Sequence, residues 1–254
     1  MMFRNEEEMQ HALLELLKKY HIRQDGVYNL FPGSKANGLK LWPGWAFIDA
    51  PPSENQVPLL TWRVRRKFVE LKKIVQEVTV ENPRMFRFNS TGDRRGWSLK
   101  GLLYREFDLC EFISGSTVTS LQAVFTPGWA GNVIARLKSG ILCSIEVSTL
   151  LSGPDMIDRH EIIAQRGVAS DIVVDTMIPQ SSIYTYTESG ENRYRDVDEE
   201  LFGFDEPETD MIRSAFQVLK QPDTVRQWKV QHLHLTGLVN AAFTSDKERR
   251  KITF

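Results

Sequence analysis

The chain has 254 residues, of which 26% are charged and 41% hydrophobic, and its formal net charge is −1. These values are typical of a globular protein and exclude a collagen-like repeat, a coiled-coil rod or long disorder. Because 32 basic residues nearly balance 33 acidic ones, charge indicates neither a nucleic-acid nor a membrane partner. The acidic start MMFRNEEEMQ is unlike a signal peptide, and no run reaches the roughly 18 apolar residues of a membrane span. We therefore expect a soluble, cytoplasmic protein.

Residues 5–20 carry apolar side chains at the i, i+3, i+4, i+7 spacing of one helical face, and the first turn is acidic. From 24 to 58, motifs such as FPG, ANG and WPGW predict turns rather than regular structure. We therefore place a boundary here. Residues 1–58 are expected to form an N-terminal helix and irregular segment, and 59–254 the main domain.

Four further helices are predicted in the main domain from their apolar spacing. The first is rich in arginine and lysine, which is typical of a solvated face. The second has apolar residues around most of its circumference, which predicts a buried helix. Their ranges are 61–77, 101–114, 206–220 and 223–244.

Strands are predicted after 78 and within 117–148, where apolar alternation and the turn Ser139-Gly140 indicate a hairpin. Further strands are predicted at 160–165, 171–178 and 182–187, followed by an acidic surface loop over 188–210. Runs of strands beside runs of helices predict an α+β fold, with an open and mainly antiparallel sheet and helices packed on one face.

The two cysteines, Cys110 and Cys143, lie in apolar runs without a CxxC motif, so we expect reduced thiols in the core. The histidine spacing favours structural or exposed positions over a shared metal site, and no metal is predicted. The five histidines are His11, His21, His160, His232 and His234.

Three stretches carry a family pattern in their order and spacing: LLYREFDLCEFISGSTVTSLQAV, ARLKSGILCSIEVS and HEIIAQRGVAS. They resemble a helix and strand, a hairpin, and a strand and turn in the C-terminal domain of the glucose–fructose oxidoreductase and inositol dehydrogenase (Gfo/Idh/MocA) family. With the helix LTWRVRRKFVELKKIV, the resemblance covers about 60–245. It implies an open sheet that forms part of a substrate site and an oligomer contact. In that family a Rossmann domain binds NAD(P), and hydride moves between this cofactor and a sugar or polyol.

The chain departs from the family pattern at each catalytic position. The sequence contains neither GxGxxG nor the Glu-Lys-Pro motif that supplies a lysine. The family commonly has an aspartate and a histidine four residues apart at the start of the helix matched by 101–114. Alignment on Asp108 puts Gly101 and Arg105 at those two positions. Glycine has no side chain and arginine stays protonated, so neither serves as a base.

The helix NEEEMQHALLELLKKYHI resembles the helix that follows Glu-Lys-Pro in family members. This resemblance suggests that the helix is a remnant of the end of a Rossmann domain. The chain would then be a naturally reduced protein, one half of a split protein or a truncated gene product. We expect an oxidoreductase-family C-terminal domain for substrate binding or oligomerisation, a pseudoenzyme of carbohydrate metabolism without a cofactor of its own.

Two alternatives stay open. One is an NAD(P)-dependent sugar or polyol dehydrogenase that acts with a separate Rossmann subunit. The other is a sugar-phosphate or nucleotide-sugar binding protein. The open sheet face predicts a homo-oligomer, or contact with a Rossmann-domain partner chain.

The candidate ligand-binding residues lie between 94 and 108, where basic side chains beside tryptophan suit a phosphate or carboxylate. We expect Arg105 and Asp108, three residues apart on one helix, to pair with each other. Glu106 is a candidate lone carboxylate acid, because no residue in the sequence pattern pairs with it. The candidates are Arg94, Arg95, Trp97, Lys100, Arg105 and Asp108.

Overall fold

The computed structural model describes residues 6–22, 28–30, 38–151, 153, 156–171, 183–187, 190–194, 201, 203–221 and 223–254. These residues form helices α1 (Glu6–Lys19), α2 (Arg66–Gln76), α3 (Leu99–Ser114), α4 (Glu206–Lys220) and α5 (Asp223–Glu248). None of the helices in this part of the chain is long and apolar enough to cross a membrane.

The strands of the described residues belong to three sheets. They are β1 (Tyr28–Asn29), β2 (Leu39–Pro43), β3 (Gln56–Leu59), β4 (Glu81–Thr91), β5 (Val118–Thr126), β6 (Ala130–Leu137), β7 (Leu142–Ser148), β8 (Ile157–Ser170), β9 (Ile183–Thr187), β10 (Gly190–Tyr194) and β11 (Ile252–Thr253).

The main sheet has six strands in the order β11-β5-β6-β7-β4-β8. Neighbours run antiparallel except for β4 and β7, which are parallel. Side chains alternate between a buried face, which includes Phe86, Phe88 and Ile145, and an open face, which exposes Val124 and Ile134. Helix α3 packs against β4, β6 and β7, and α5 packs against β5. The prediction of an α+β fold with a mainly antiparallel sheet is confirmed.

Helix α3 is buried along nearly its whole length, and both its apolar side chains and several of its charged ones face the interior. The hydroxyl of Ser98 accepts a hydrogen bond from the Gly101 N–H at 3.0 Å and caps the first turn. Gly115 ends the helix in the left-handed conformation, with φ of 66°. The buried helix carries the polar side chains described below into the interior.

The N-terminal part contains a small parallel sheet in the order β1-β2-β3. This corrects the prediction of a wholly irregular segment over 24–58. The sequence pattern did not predict β2 and β3 because each strand contains a proline, Pro43 in β2 and Pro58 in β3, and proline is evidence against a strand. Helix α1 packs on α4, and the buried core is continuous from Leu13 and Leu41 into the main sheet.

Other boundaries differ from the predictions in detail. The helix expected at 61–77 is a 3-10 turn at Thr61–Val64 followed by α2. The expected acidic loop over 188–210 contains β10 and the first turn of α4. The strand predicted at 171–178 lies outside the described residues except at Asp171.

Candidate functional site

Helix α3 carries charged side chains into the interior of the protein. Arg105, Glu106 and Asp108 are each at most 1% exposed, and Glu111 is 6% exposed. Burying an unpaired charge is strongly unfavourable, so each of these groups requires partners. The partners come from the 3-10 turn before α2, from strands β4 and β8 and from helix α5, and together they form two clusters on different sides of the helix.

The first cluster surrounds Arg105 and is called the buried charge network below. The Arg105 guanidinium forms ion pairs with Glu106 and Asp158, and it donates to the Ser90 hydroxyl at 2.9 Å. The same hydroxyl donates to Glu106 Oε1 at 2.5 Å. The network consists of Lys67, Ser90, Arg105, Glu106, Asp158, His160 and Asp171.

His160 lies at the centre of this network and is fully buried. Its Nδ1 lies 2.7 Å from Asp171 Oδ2, and its Nε2 lies 3.0 Å from Glu106 Oε2. Phe68 and Phe88 pack edge-on against the ring, each at 4.8 Å between centroids. Both ring nitrogens are therefore engaged by carboxylates, and the imidazole holds elements together rather than facing a ligand.

Burial and charge act in opposite directions on the pKa values in the network. Burial lowers the pKa of the His160 imidazole, but Glu106 and Asp171 outweigh burial, and the pKa lies above its usual value. Burial raises the pKa of Glu106, and the positive Arg105 and His160 more than reverse that effect. For Asp158, Arg105 and Lys67 hold the pKa far below the usual range despite burial. The carboxylates are ionised at neutral pH, and His160 is biased towards its protonated form.

Three of these residues have the chemistry of a metal site. The ligand atoms of Asp158, His160 and Asp171 all lie within 4.8 Å of one another. However, the Lys67 ammonium already lies 2.6 Å from Asp158 Oδ1 and 3.2 Å from Asp171 Oδ2. The lysine therefore occupies the place of a cation between these two carboxylates, and the arrangement gives no independent support for a metal.

The second cluster lies on the side of α3 that faces α5 and the 3-10 turn before α2. Asp108 accepts from Trp62 Nε1 at 2.7 Å and from Arg63 Nε at 2.8 Å. Nearby, the Tyr104 hydroxyl lies 2.9 Å from His232 Nδ1, and burial lowers the pKa of His232 to about 4. Asp108 and Tyr104 thus join α3 to its neighbours.

Two expectations about α3 are wrong. Arg105 and Asp108 do not pair with each other, because Arg105 binds Glu106 and Asp158 while Asp108 binds Arg63. Glu106 is not a lone carboxylate, since Arg105, Ser90 and His160 all contact it. The helix is buried all round, so long-range partners displace the local pairing that is typical of exposed helices.

The remaining candidates occupy three separate places. Trp97 packs against Trp45 with ring centroids 5.4 Å apart, and Lys100 forms an ion pair with Asp49. Arg94 and Arg95 line an open cavity of about 370 Å³. The structure therefore does not bring the six residues together into one site.

The first turn of α3 is covered by the chain itself. A Cβ atom added at Gly101 would lie 3.6 Å from the Trp97 ring and 3.8 Å from Trp45. Four residues on, Arg105 points into the buried charge network. The two positions that correspond by resemblance to an aspartate and a histidine therefore present neither a carboxylate nor an imidazole.

Sequence reasoning missed the roles of Asp158, His160 and Trp129. A usable signal was the alternation in β8, where Asp158, His160 and Ile162 pair with Ser90, Phe88 and Phe86 of β4. Two titratable residues in phase with a buried isoleucine indicate polar groups facing the core. No local signal placed Trp129, in the turn between β5 and β6, beside Arg94.

The glycine at the end of β2 lacks the open space of a dinucleotide cradle. Such a cradle needs space beside a glycine where a strand meets a helix. Within the described chain, Gly44 follows β2 at such a junction, but a Cβ atom there would overlap the Tyr104 hydroxyl. The space beside Gly44 is thus filled by the Tyr104 ring.

Comparison with known proteins shows a fold similar to that of solved dehydrogenase structures. No protein-family model and no curated protein matches the chain. Solved structures do match, and they include a myo-inositol and a scyllo-inositol dehydrogenase.

Three of these structures illustrate the likeness. Myo-inositol 2-dehydrogenase from Lactobacillus plantarum is 10% identical, with a TM-score of 0.55 over 78% of this chain and 65% of that one. Scyllo-inositol dehydrogenase from Lactobacillus casei, solved with NAD(H) and scyllo-inositol, is 11% identical. Its TM-score is 0.52 over 78% of this chain and 64% of that one. GenD2 from gentamicin A biosynthesis, in complex with NAD, is 15% identical. Its TM-score is 0.56 over 78% of this chain and 63% of that one. The chain thus spans less than two thirds of each neighbour, and the likeness defines the fold.

Proposed function

We propose that this chain is a dehydrogenase-fold domain that binds ligand or assembles with other chains and does not transfer hydride by itself. The observation that carries this proposal is that Arg105 is buried and held in ion pairs. This residue stands where the family resemblance places a proton-accepting histidine, and it is only 1% exposed. Its guanidinium is bound by Glu106, Asp158 and Ser90.

Hydride transfer from an alcohol requires a group that removes the hydroxyl proton. Arginine retains its proton at physiological pH, and in Arg105 the guanidinium is held by carboxylates away from solvent. Gly101, at the other matched position, offers no side chain, and Trp45 and Trp97 cover it. The described residues near the start of α3 thus supply no base for this chemistry.

The direct test combines cofactor binding with activity. The purified 254-residue chain would be titrated with NADH and NADPH, and then assayed with NAD and NADP against a panel of sugars and polyols. An active inositol dehydrogenase serves as the positive control. We expect no saturable change in fluorescence and no reduction of cofactor. Saturable binding with turnover would refute the proposal.

A second candidate function rests on how much of its neighbours the chain spans. It covers 63–65% of three solved neighbours, of which two are inositol dehydrogenases and two were solved with NAD or NAD(H). In this alternative, a separate Rossmann subunit supplies the NAD(P) site and the catalytic lysine. The alternative requires a two-chain complex whose dehydrogenase activity is lost when either chain is omitted. Absence of activity in every reconstituted mixture would oppose it.

We further propose that the open face of the main sheet forms a homo-oligomer contact. Val124 is 67% exposed and Ile134 is 41% exposed on this face. Exposed apolar side chains on a broad sheet favour burial against another chain. Sedimentation velocity should show a dimer or larger species, converted to monomer by Ile134→Asp. The matched control Leu233→Asp, at a 61% exposed position on α5, should leave the mass unchanged. A monomeric parent protein would refute this contact.

A further inference from the structure

The cavity beside Arg94 and Trp129 lies apart from the buried charge network. Its lining comes from three segments: 93–95 before α3, Trp129 between β5 and β6, and 149–151 after β7. Its volume of about 370 Å³ lies at the lower end of the range for small-molecule sites. We name it the Arg94 cavity.

Backbone hydrogen bonds hold the three segments of the Arg94 cavity together. The Thr149 N–H donates to the Trp129 carbonyl at 2.8 Å, and the Gly92 N–H donates to the Ser148 carbonyl at 2.9 Å. Asp93 and Leu150 form an isolated antiparallel bridge. The Thr149 hydroxyl also donates to the Gly128 carbonyl at 3.1 Å. The walls are thus fixed before any ligand arrives, which reduces the entropy cost of binding.

The two arginines of the cavity differ in their partners. The Arg95 side chain is paired with Asp93, through Nε at 2.9 Å, and this arginine lowers the pKa of the Asp93 carboxyl. The Arg94 guanidinium lies over the Trp129 ring, 4.2 Å from its centroid. Among the described residues it has no carboxylate partner. Among the side chains that the structure describes, Arg95 is neutralised by Asp93 and Arg94 is not neutralised, so these groups leave a net positive charge at the mouth of the cavity.

The chemistry of the walls defines the ligand. A guanidinium stacked on an indole keeps its N–H edges free for bidentate hydrogen bonds to a phosphate. Trp129 is 42% exposed and Leu150 is 57% exposed, so an apolar surface lies beside the positive charge. A ligand that satisfies both surfaces carries an anionic group and a compact ring with an apolar face.

We propose that the Arg94 cavity binds a phosphate monoester of a sugar or nucleoside. The phosphate is held by Arg94, and the organic ring packs on Trp129 and Leu150. This inference goes beyond the proposed function, because it requires neither NAD nor hydride transfer. It also narrows the six sequence candidates to two, Arg94 and Arg95, and adds Trp129.

The test uses glucose 6-phosphate and AMP as probes for the two kinds of ester. Glucose, adenosine and inorganic phosphate are titrated in parallel, with calorimetry and tryptophan fluorescence as readouts. We expect saturable binding of at least one ester, and at least tenfold weaker binding of its dephosphorylated form and of phosphate alone. The stronger probe identifies whether the ring is a sugar or a nucleoside.

Substitutions in the Arg94 cavity test whether the ester binds there. Arg94→Ala and Trp129→Leu are each expected to weaken the ester roughly tenfold or more, because a charge-assisted hydrogen bond or a stacking surface is lost. Arg226→Ala, which removes an exposed arginine from α5, is the matched control and should not change the affinity. Thermal melting verifies that each variant is folded.

Two results would overturn the inference. One is that neither ester binds saturably, and the other is that binding is unaffected by both Arg94→Ala and Trp129→Leu. Equal affinity for inorganic phosphate would also contradict the role assigned to Trp129. Because no nicotinamide cofactor is present in these titrations, their outcome is independent of the dehydrogenase assay.

Discussion

Replacement of Arg105 by methionine tests whether the buried charge network stabilises the fold. Arg105 is 1% exposed, and its ion-pair partners Glu106 and Asp158 have side chains that are 0% and 10% exposed. Methionine retains much of the aliphatic volume but removes the charge and the donors. Of its partners in the described part of the chain, Glu106 then keeps Ser90 and His160, while Asp158 keeps Lys67.

Removal of one partner from a buried ion pair costs about 3–5 kcal/mol, because a charge is left uncompensated. For a chain of this size, each kcal/mol lowers the melting temperature by roughly 2–4 °C. We therefore expect Arg105→Met to lower the free energy of unfolding by about 4 kcal/mol and the melting temperature by roughly 8–16 °C.

Urea unfolding monitored by tryptophan fluorescence and circular dichroism measures this difference. The matched control is Arg159→Met, which breaks the Arg159–Glu161 pair at 2.7 Å, where the arginine side chain is 56% exposed. An exposed pair contributes about 0–1 kcal/mol, so the control should unfold almost like the parent. Equal destabilisation by the two substitutions would refute the reasoning.

A double-mutant cycle with Glu106→Gln distinguishes direct pairing from general disruption. In the Arg105→Met background, Glu106→Gln removes a charge that has lost its main partner. It should therefore cost less than in the parent protein, with a coupling energy of roughly 1–3 kcal/mol. Additive effects would show that the two residues do not stabilise one another.

Three further predictions address the interior. In NMR titrations, His160 should have a midpoint above 6.5 and His232 one near 4. His160 thus contributes stability that is lost as pH rises above 6.5, and His232 contributes stability that is lost as pH falls from 6.5 towards 4. Reversed midpoints would refute both assignments. Gly44→Ala overlaps the Tyr104 hydroxyl and should cost about 1–3 kcal/mol in urea unfolding, and less in a Tyr104→Phe background. Both cysteines are buried, so a thiol reagent should modify them only in denaturant, and rapid native labelling would contradict their burial.

The sequence predicted those elements whose signals are local. The apolar spacing of α3 and the alternation on either side of Ser139-Gly140 correspond closely to the observed helix and hairpin. In each case the spacing of apolar residues shows which face of the helix or strand packs against the core, because burial requires apolar side chains on that face. Strands β2 and β3 were missed because Pro43 and Pro58 obscure such a pattern.

The partners inside the network could not be predicted in the same way. Arg105 binds Asp158, 53 residues away, and Lys67 binds Asp171, 104 residues away. Such pairs depend on how α3 and α2 lie on the sheet, which no local spacing encodes. The i, i+3 rule gave the wrong partner for Arg105, since it describes helices whose side chains meet in solvent.

The charge balance of the network explains why an arginine is stable at this place. Arg105 and Lys67 supply two positive charges, and Glu106, Asp158 and Asp171 supply three negative charges. The group is neutral only when His160 carries its proton, which agrees with the raised pKa of that imidazole. A histidine in place of Arg105 would have to replace one permanent charge with a titratable one, and it would offer fewer donors to Glu106 and Asp158. Residue 105 and its partners therefore form one structural unit. Replacing Arg105 alone would leave the buried network with an unbalanced net charge, and it would not expose a proton-accepting side chain to a substrate.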